Sequence, residues 1–144
     1  TIQESINSLK SFKGVKRRMD YVGEISSIKI YDDFSHHPTA IKLSTSAIKN
    51  KYPDKRIIGL IELASNTMSS GHHDKNLINS FNLLDEVLLL DHKKFYDYKN
   101  AYDSIESLIR KLQEIVFDYD IILIMTNKDS QKFINPIIKH LENK

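Results

Sequence analysis

The spacing of apolar and polar positions changes period several times along the 144 residues, and each change marks an element. Thr1 to Phe12 is polar with Ile2, Ile6 and Leu9 at helical spacing, which predicts a short helix stopped near Gly14. From Lys16 to Asp32 the period becomes that of extended chain: Met19, Tyr21, Gly23 and Ile25, then Ile28 and Ile30 after Ser26-Ser27. That reads as a β-hairpin. From Pro38 to Lys51 the helical period returns, with Ile41, Ser44, Ala47 and Ile48 on one narrow stripe. Pro38 suits the first helical position because it lacks an N–H the helix would not use there, and Tyr52-Pro53-Asp54 supplies the stop.

Three short, nearly continuous apolar runs follow: RIIGLIE (56–62), EVLLL (86–90) and DIILIM (120–125). Runs of this kind are strands covered on both faces. Helical patterns lie between and after them. One spans Asp74 to Leu84 with Leu77, Ile78 and Phe81 inward, and a second spans Ala101 to Phe117. A last helix carries Ile134, Ile137, Ile138 and Leu141, with Pro136 expected in its first turn. Strands that alternate with helices pair in parallel, since each crossover is a helix. The expected fold is therefore a single α/β domain over 1–144, a three-layer, Rossmann-like, mostly parallel sheet with an N-terminal β-hairpin.

In such sheets ligands are held where the strands end. The polar loops 32–37, 63–73, 91–92 and 126–130 all fall there. The densest is IYDDFSHHPT, Ile30 to Thr39, a strand ending in two acids and two histidines before the helix opened by Pro38. The loop from Leu63 to His73 is longer and richer in small polar residues than a connector needs.

Composition narrows the classes. A net charge of +2 gives no footprint for nucleic acid, and the run KGVKRR from Lys13 to Arg18 is short enough for a solvated face. Cysteine is absent, which removes disulfides and thiol chemistry and is compatible with a reducing cytoplasm. No apolar run approaches the roughly 18 residues of a membrane span, and no signal-peptide pattern opens the chain. The start at Thr1 without Met suggests a fragment or a processed product.

Three chemistries compete for the loops. A carboxylate such as Asp33 can take ribose hydroxyls, a guanidinium such as Arg18 can meet phosphate, and imidazoles can donate to phosphate. Neither GxxxxGK[ST] nor GxGxxG occurs, so a nucleotide held here needs its phosphates bound elsewhere. A phospho-acceptor receiver module would use Asp32, Asp33, Asp91 and Lys128, although the hairpin is foreign to that fold. A metal site could draw on His36, His37, His72 and His73, but adjacent histidines point apart and no HExxH spacing occurs, so no metal ligand is assigned. Tyr96, Tyr98 and Tyr102 read as packing and surface residues.

FKGVKRRMD (Phe12 to Asp20), DDFSHHPTAI (Asp32 to Ile41) and SNTM (Ser65 to Met68) together resemble the C-terminal domain of the Mur ligases, over nearly the whole chain. DDFxHHPTA with SNTM points within that family to the branch that joins UDP-N-acetylmuramate to the recycled murein tripeptide L-alanyl-γ-D-glutamyl-meso-diaminopimelate. The branch that adds L-alanine shares the arginine pair and HHP but carries an HR-containing segment at the position of SNTM. The resemblance implies an ATP- and Mg2+-dependent amide-bond ligase of three domains, acting through an acyl phosphate in the bacterial cytoplasm during peptidoglycan recycling. This chain would be the third domain, closing over a central P-loop domain that mainly holds Mg2+, and inactive alone. By the same resemblance, Arg18, Asp33, His36 and His37 fall on the nucleotide side, with Asp33 at the ribose. Ser65, Asn66, Thr67 and Met68 fall where the peptide substrate binds, and no residue is assigned as catalytic. Two segments depart from the family pattern. Leu63-Ala64 stands where a proline and an arginine are expected, and Asn127 to Gln131 replaces a glycine-rich turn, so that loop either takes another backbone shape or has a lysine supply the contacts that glycines give by close approach.

Overall fold

The computed structural model describes residues 2–11, 16–63, 74–93 and 98–144. In chain order the elements are α1 (Ile2–Ser11), β1 (Asp20–Ile25), β2 (Ile28–Asp33), α2 (Pro38–Lys51), β3 (Ile57–Glu62) and α3 (Asp74–Asn79). They continue with β4 (Glu86–Leu90), β5 (Ala101–Tyr102), α4 (Ile105–Ile115), β6 (Ile121–Met125) and α5 (Gln131–Glu142). The six strands form one sheet in the order β1-β2-β6-β3-β4-β5. Among the described residues only the β1–β2 hairpin is antiparallel; the pairs from β2 through β6, β3 and β4 to β5 are parallel. The expected α/β class, the mostly parallel sheet and the hairpin are all present.

Side-chain alternation sorts the strands into two cores. Ile30, Ile58, Leu60, Leu88, Ile122 and Ile124 pack under α4 and α5 through Leu108, Leu112, Phe133 and Ile137. Their neighbours Tyr31, Ile57, Ile61, Leu89, Leu123 and Met125 pack under α2 and α3 through Ile41, Ile48 and Leu77. Burial on both faces is why these strands read as unbroken apolar runs rather than alternating ones. Gly59 leaves room for the Leu84 side chain: a Cβ there would come within 2.6 Å of Leu84 Cδ1.

The hairpin turns at Ser26 and Ser27, both at positive φ (51° and 64°), as a two-residue turn between right-twisted strands requires. Tyr98 and Tyr102 are half-buried and pack on the two cores, as expected; Tyr96 lies outside the described residues. Two expectations are corrected. The helix expected from Ala101 begins at Ile105, because Ala101 and Tyr102 pair with Leu89 and Leu90 as β5 and Ser104 caps the helix, accepting from the Ser107 N–H. Pro136 stands inside α5 rather than in its first turn, where it removes the backbone donor that would reach the Lys132 carbonyl.

Candidate functional site

Because side chains alternate across a strand, the adjacent acids at the end of β2 serve opposite faces of the sheet. Asp33 turns toward α2. Its Oδ2 accepts from the Met19 N–H (2.8 Å), and its Oδ1 accepts from the Ser35 N–H (2.8 Å), the Ser44 hydroxyl (3.1 Å) and the Ser35 hydroxyl. The carboxylate is only 2% exposed. It therefore ties three segments together: the 16–19 loop, the turn after β2 and helix α2. The Phe34 N–H adds a bond to the Arg17 carbonyl (2.8 Å). Arg17 and Met19 take up positive φ (58° and 52°) to make this fit.

Asp32 turns toward α5. Its Oδ2 accepts from Arg17 Nε (3.2 Å) and from the Ser130 hydroxyl (2.7 Å). The same guanidinium donates to the Thr126 carbonyl at the end of β6 (2.7 Å). Arg17 thus cross-links the ends of β2 and β6, whereas Arg18, next in sequence, is exposed.

Phe34 lies at the centre of the exposed part of this site. Both guanidinium groups stand over its ring, Arg17 at 5.4 Å and Arg18 at 5.7 Å from the centroid. His36 meets the ring edge-on at 5.5 Å and donates through Nδ1 to the Phe34 carbonyl (3.0 Å). His37 is the N-cap of α2; its carbonyl accepts from the Ile41 N–H (2.9 Å), and its ring does not cap the helix. The ring borders a groove of about 860 Å³ that runs between Thr39 and Lys42 of α2 and Asn76 and Asn79 of α3.

A second polar cluster fills the middle of the sheet's C-terminal edge. Glu62, at the end of β3, is fully buried. It accepts from Lys132 Nζ in the first turn of α5 and from the Thr126 hydroxyl (2.5 Å), with His92 Nε2 at 3.7 Å. The Lys128 N–H donates to the Thr126 hydroxyl (3.1 Å), which closes the turn after β6.

Of the residues singled out in the sequence, Arg18, Asp33, His36 and His37 come together around the turn after β2. Ser65, Asn66, Thr67 and Met68, together with His72 and His73, lie outside the described residues. The receiver constellation is not assembled. With β6 and β3 between them, Asp91 sits three strand spacings, roughly 14 Å, from Asp32 and Asp33. Among the described residues no three His, Asp or Glu side chains form a metal-holding group. Arg17, Phe34, Glu62 and Lys132 join the site without having been singled out. Phe34 had a signal in the sequence, an aromatic residue inside a polar turn. The Glu62–Lys132 pair had none, because it joins residues on elements far apart in the chain.

Away from this edge, Tyr31 and Tyr52 place their hydroxyls 2.6 Å apart, with Lys51 Nζ 5.4 Å and 5.5 Å from their ring centroids. Burial pushes the Tyr31 phenol above the ordinary tyrosine value, and Tyr52 adds to the rise. Hydrogen bonding to Tyr31 in turn holds Lys51 above the usual lysine range.

Chemically, the surface offers an aromatic ring, one uncommitted guanidinium and two imidazoles, which suit the base, ribose or phosphates of a nucleotide. Residues 17–125 match the family model described as Mur ligase, glutamate ligase domain. The chain belongs to the Mur ligase family.

Two branches of that family are represented among its relatives. It is 40% identical over 77 residues to the UDP-N-acetylmuramate–L-alanyl-γ-D-glutamyl-meso-2,6-diaminoheptandioate ligase of Haemophilus influenzae, covering 53% of this chain and 17% of that protein. It is 54% identical over 52 residues to the UDP-N-acetylmuramate–L-alanine ligase of a Hydrogenobaculum species, covering 36% of this chain and 12% of that protein. Among solved structures, a murein peptide ligase from Psychrobacter arcticus superposes on 96% of this chain and 32% of its own, with TM-score 0.79 and 29% identity. A crystallised domain from a Haemophilus ducreyi protein described as a putative ligase of the same tripeptide branch superposes on 88% of this chain and 98% of its own, with TM-score 0.69 and 25% identity. The matched stretch is less than a fifth of either curated relative. No described helix is long and apolar enough to cross a membrane.

Proposed function

We propose that this Mur ligase chain is the C-terminal domain of an ATP-dependent ligase that joins UDP-N-acetylmuramate to the murein tripeptide L-alanyl-γ-D-glutamyl-meso-diaminopimelate in peptidoglycan recycling. The observation that carries this reading is the likeness to the Psychrobacter murein peptide ligase over 96% of the chain. In the reaction the muramate carboxylate takes the γ-phosphoryl group of ATP to give an acyl phosphate, and the peptide amine then displaces phosphate. The described residues provide neither a P-loop nor a metal cage, so Mg2+ and the phosphoryl groups are assigned to a central domain elsewhere in the same polypeptide. The enzyme is placed in the bacterial cytoplasm, where its nucleotide substrates are.

This domain's share is positioning. Arg18 and the Phe34 ring form the surface that closes on the nucleotide, flanked by His36 and His37. Asp33 acts through the loop it holds, since it is 2% exposed and its oxygens are bonded to Met19, Ser35 and Ser44. Ser65 to Met68 receive the peptide. A second reading, the L-alanine-adding ligase, draws on the Hydrogenobaculum similarity.

The test uses the full-length protein that carries this chain, with ATP, Mg2+ and UDP-N-acetylmuramate, and follows phosphate release. Release with tripeptide and not with L-alanine is expected; release with L-alanine alone moves the protein to the other branch, and silence with both overturns the ligase reading. In the same enzyme Asp33→Ala should raise the KM for ATP at least tenfold, about 1.4 kcal/mol in binding. An unchanged KM shows that the loop Asp33 holds does not position the nucleotide.

A further inference from the structure

Of the three groups that surround the Phe34 ring, Arg17 is the one anchored to the sheet. The ring is 36% exposed, so packing does little to fix it. Arg18, over the ring, is itself exposed, and His36 bonds to the carbonyl of Phe34 and so moves with the same turn. Arg17 is held through both backbone and side chain. Its N–H donates to Asp20 Oδ2 (2.6 Å), and its carbonyl accepts from the Phe34 N–H (2.8 Å). Its guanidinium donates through Nε to Asp32 Oδ2 (3.2 Å) and through Nη2 to the Thr126 carbonyl (2.7 Å). These bonds fix where the guanidinium stands over the ring, 5.4 Å from its centroid. A planar fork can donate in two directions while meeting a ring; a lysine ammonium, a point charge, cannot.

Asp32 is fixed in turn from α5. Ser130 is the N-cap residue of that helix, where a serine hydroxyl ordinarily accepts from an N–H of the first turn. Here the hydroxyl makes no capping bond and donates instead to Asp32 Oδ2 (2.7 Å), with Ser130 buried. The helix forgoes its side-chain cap for a bond to a carboxylate on β2. The result is one hydrogen-bonded chain, from Ser130 through Asp32 to Arg17, that ends on the Phe34 ring.

We propose that Ser130, Asp32 and Arg17 are positioning residues that hold the Phe34 ring in place for a nucleotide base to stack on. The proposal rests on the nucleotide-binding reading of this surface, but the hold on the ring is testable with no ligand at all.

The first experiment isotopically labels the six phenylalanines of the 144-residue chain and follows the Phe34 ring by NMR, its signal assigned by its loss in Phe34→Leu. A Haemophilus ducreyi domain of the same fold has been crystallised by itself. Arg17→Lys keeps a charge beside Asp32 but not the fork, and Ser130→Ala removes the far end of the chain. In both, the order parameter of the ring should fall by roughly a third, from the rigid toward the flexible range. Arg17→Met should also lower the urea midpoint, and Arg17→Lys should restore most of that loss without restoring the ring. In the full-length enzyme, Arg17→Lys and Ser130→Ala should raise the KM for ATP about fivefold, the low end of what stacking a base contributes, and leave the KM for UDP-N-acetylmuramate unchanged. A ring already mobile in the wild type, or as ordered in the two variants as in the wild type, overturns the proposal. So does a ring that recovers together with stability in Arg17→Lys, which makes Arg17 structural only, or a loosened ring with an unchanged KM for ATP. A wild-type enzyme that consumes no ATP refutes the ligase reading instead, and the ring measurement still decides whether the chain holds Phe34.

Discussion

Replacing Lys132 by methionine is the sharpest test of how the C-terminal edge of the sheet is held together. Glu62 is fully buried, and two of its contacts, the Lys132 ammonium and the Thr126 hydroxyl, are hydrogen bonds. Methionine keeps most of the lysine's length and removes only the charge and its donors. Breaking a buried ion pair by removing one partner costs about 3–5 kcal/mol, because a charge is left uncompensated. The Lys132 side chain is 30% exposed, so water already screens part of that attraction, and Thr126 still donates. The expected loss is therefore about 2–3 kcal/mol, at or just below the lower edge of that range once screening is allowed for. For a domain of this size it corresponds to a fall of roughly 10 °C in Tm. Urea unfolding of the wild type, Lys132→Met, Glu62→Gln and the double variant measures it as a cycle. The double variant should recover more than half of the loss, since the neutral amide no longer needs the cation. A Lys132→Met loss below about 0.5 kcal/mol, or a coupling energy within the error expected for independent sites, refutes the reasoning.

The remaining predictions concern the rest of the fold. Between the ordinary tyrosine value and the raised value of Tyr31, the unfolded chain has lost a proton that the folded chain keeps, so stability should fall as pH rises above about 10. Lys51, raised by the same contact, acts with the same sign. Tyr31→Phe should flatten that alkaline decline, with the remaining slope from Tyr98 and Tyr102, which burial also raises; thermal unfolding at stepped pH checks it. Ser104→Ala should destabilise the domain by about 1 kcal/mol, read as a shift in the urea midpoint, because it removes the side-chain acceptor for the first turn of α4.

Much of the architecture is legible in the sequence for a physical reason: strands buried on both faces leave unbroken apolar runs, and α2 announces itself through Pro38 and its apolar stripe. The two-residue strand β5 was hidden because Ala101 and Tyr102 also continue the helical period of α4, and only pairing with β4 decides between the two. The order of the strands was not legible, since it depends on contacts between residues far apart in the chain. The candidate site was half legible. Arg17 and Arg18 are indistinguishable by type, and it is the backbone turn at Arg17 that directs one inward to Asp32 and leaves the other outside. For Asp32 and Asp33 the strand period assigns opposite faces but says nothing of the serines waiting on each, Ser130 for Asp32 and Ser35 and Ser44 for Asp33.

The place of β6 has a consequence for how the domain comes into being. This strand is the last of the six in sequence, yet it lies between β2 and β3 and pairs with both. A chain emerging from the ribosome through β5 therefore holds the hairpin and the β3–β4–β5 group as two separate pieces, each with an open edge. Parallel pairing between segments so distant is slow, because the loop must close before any contact rewards it. The domain is thus committed to fold late, after its final strand has cleared the tunnel, and a chain that stalls before Ile121 presents two unsatisfied strand edges to whatever lies nearby.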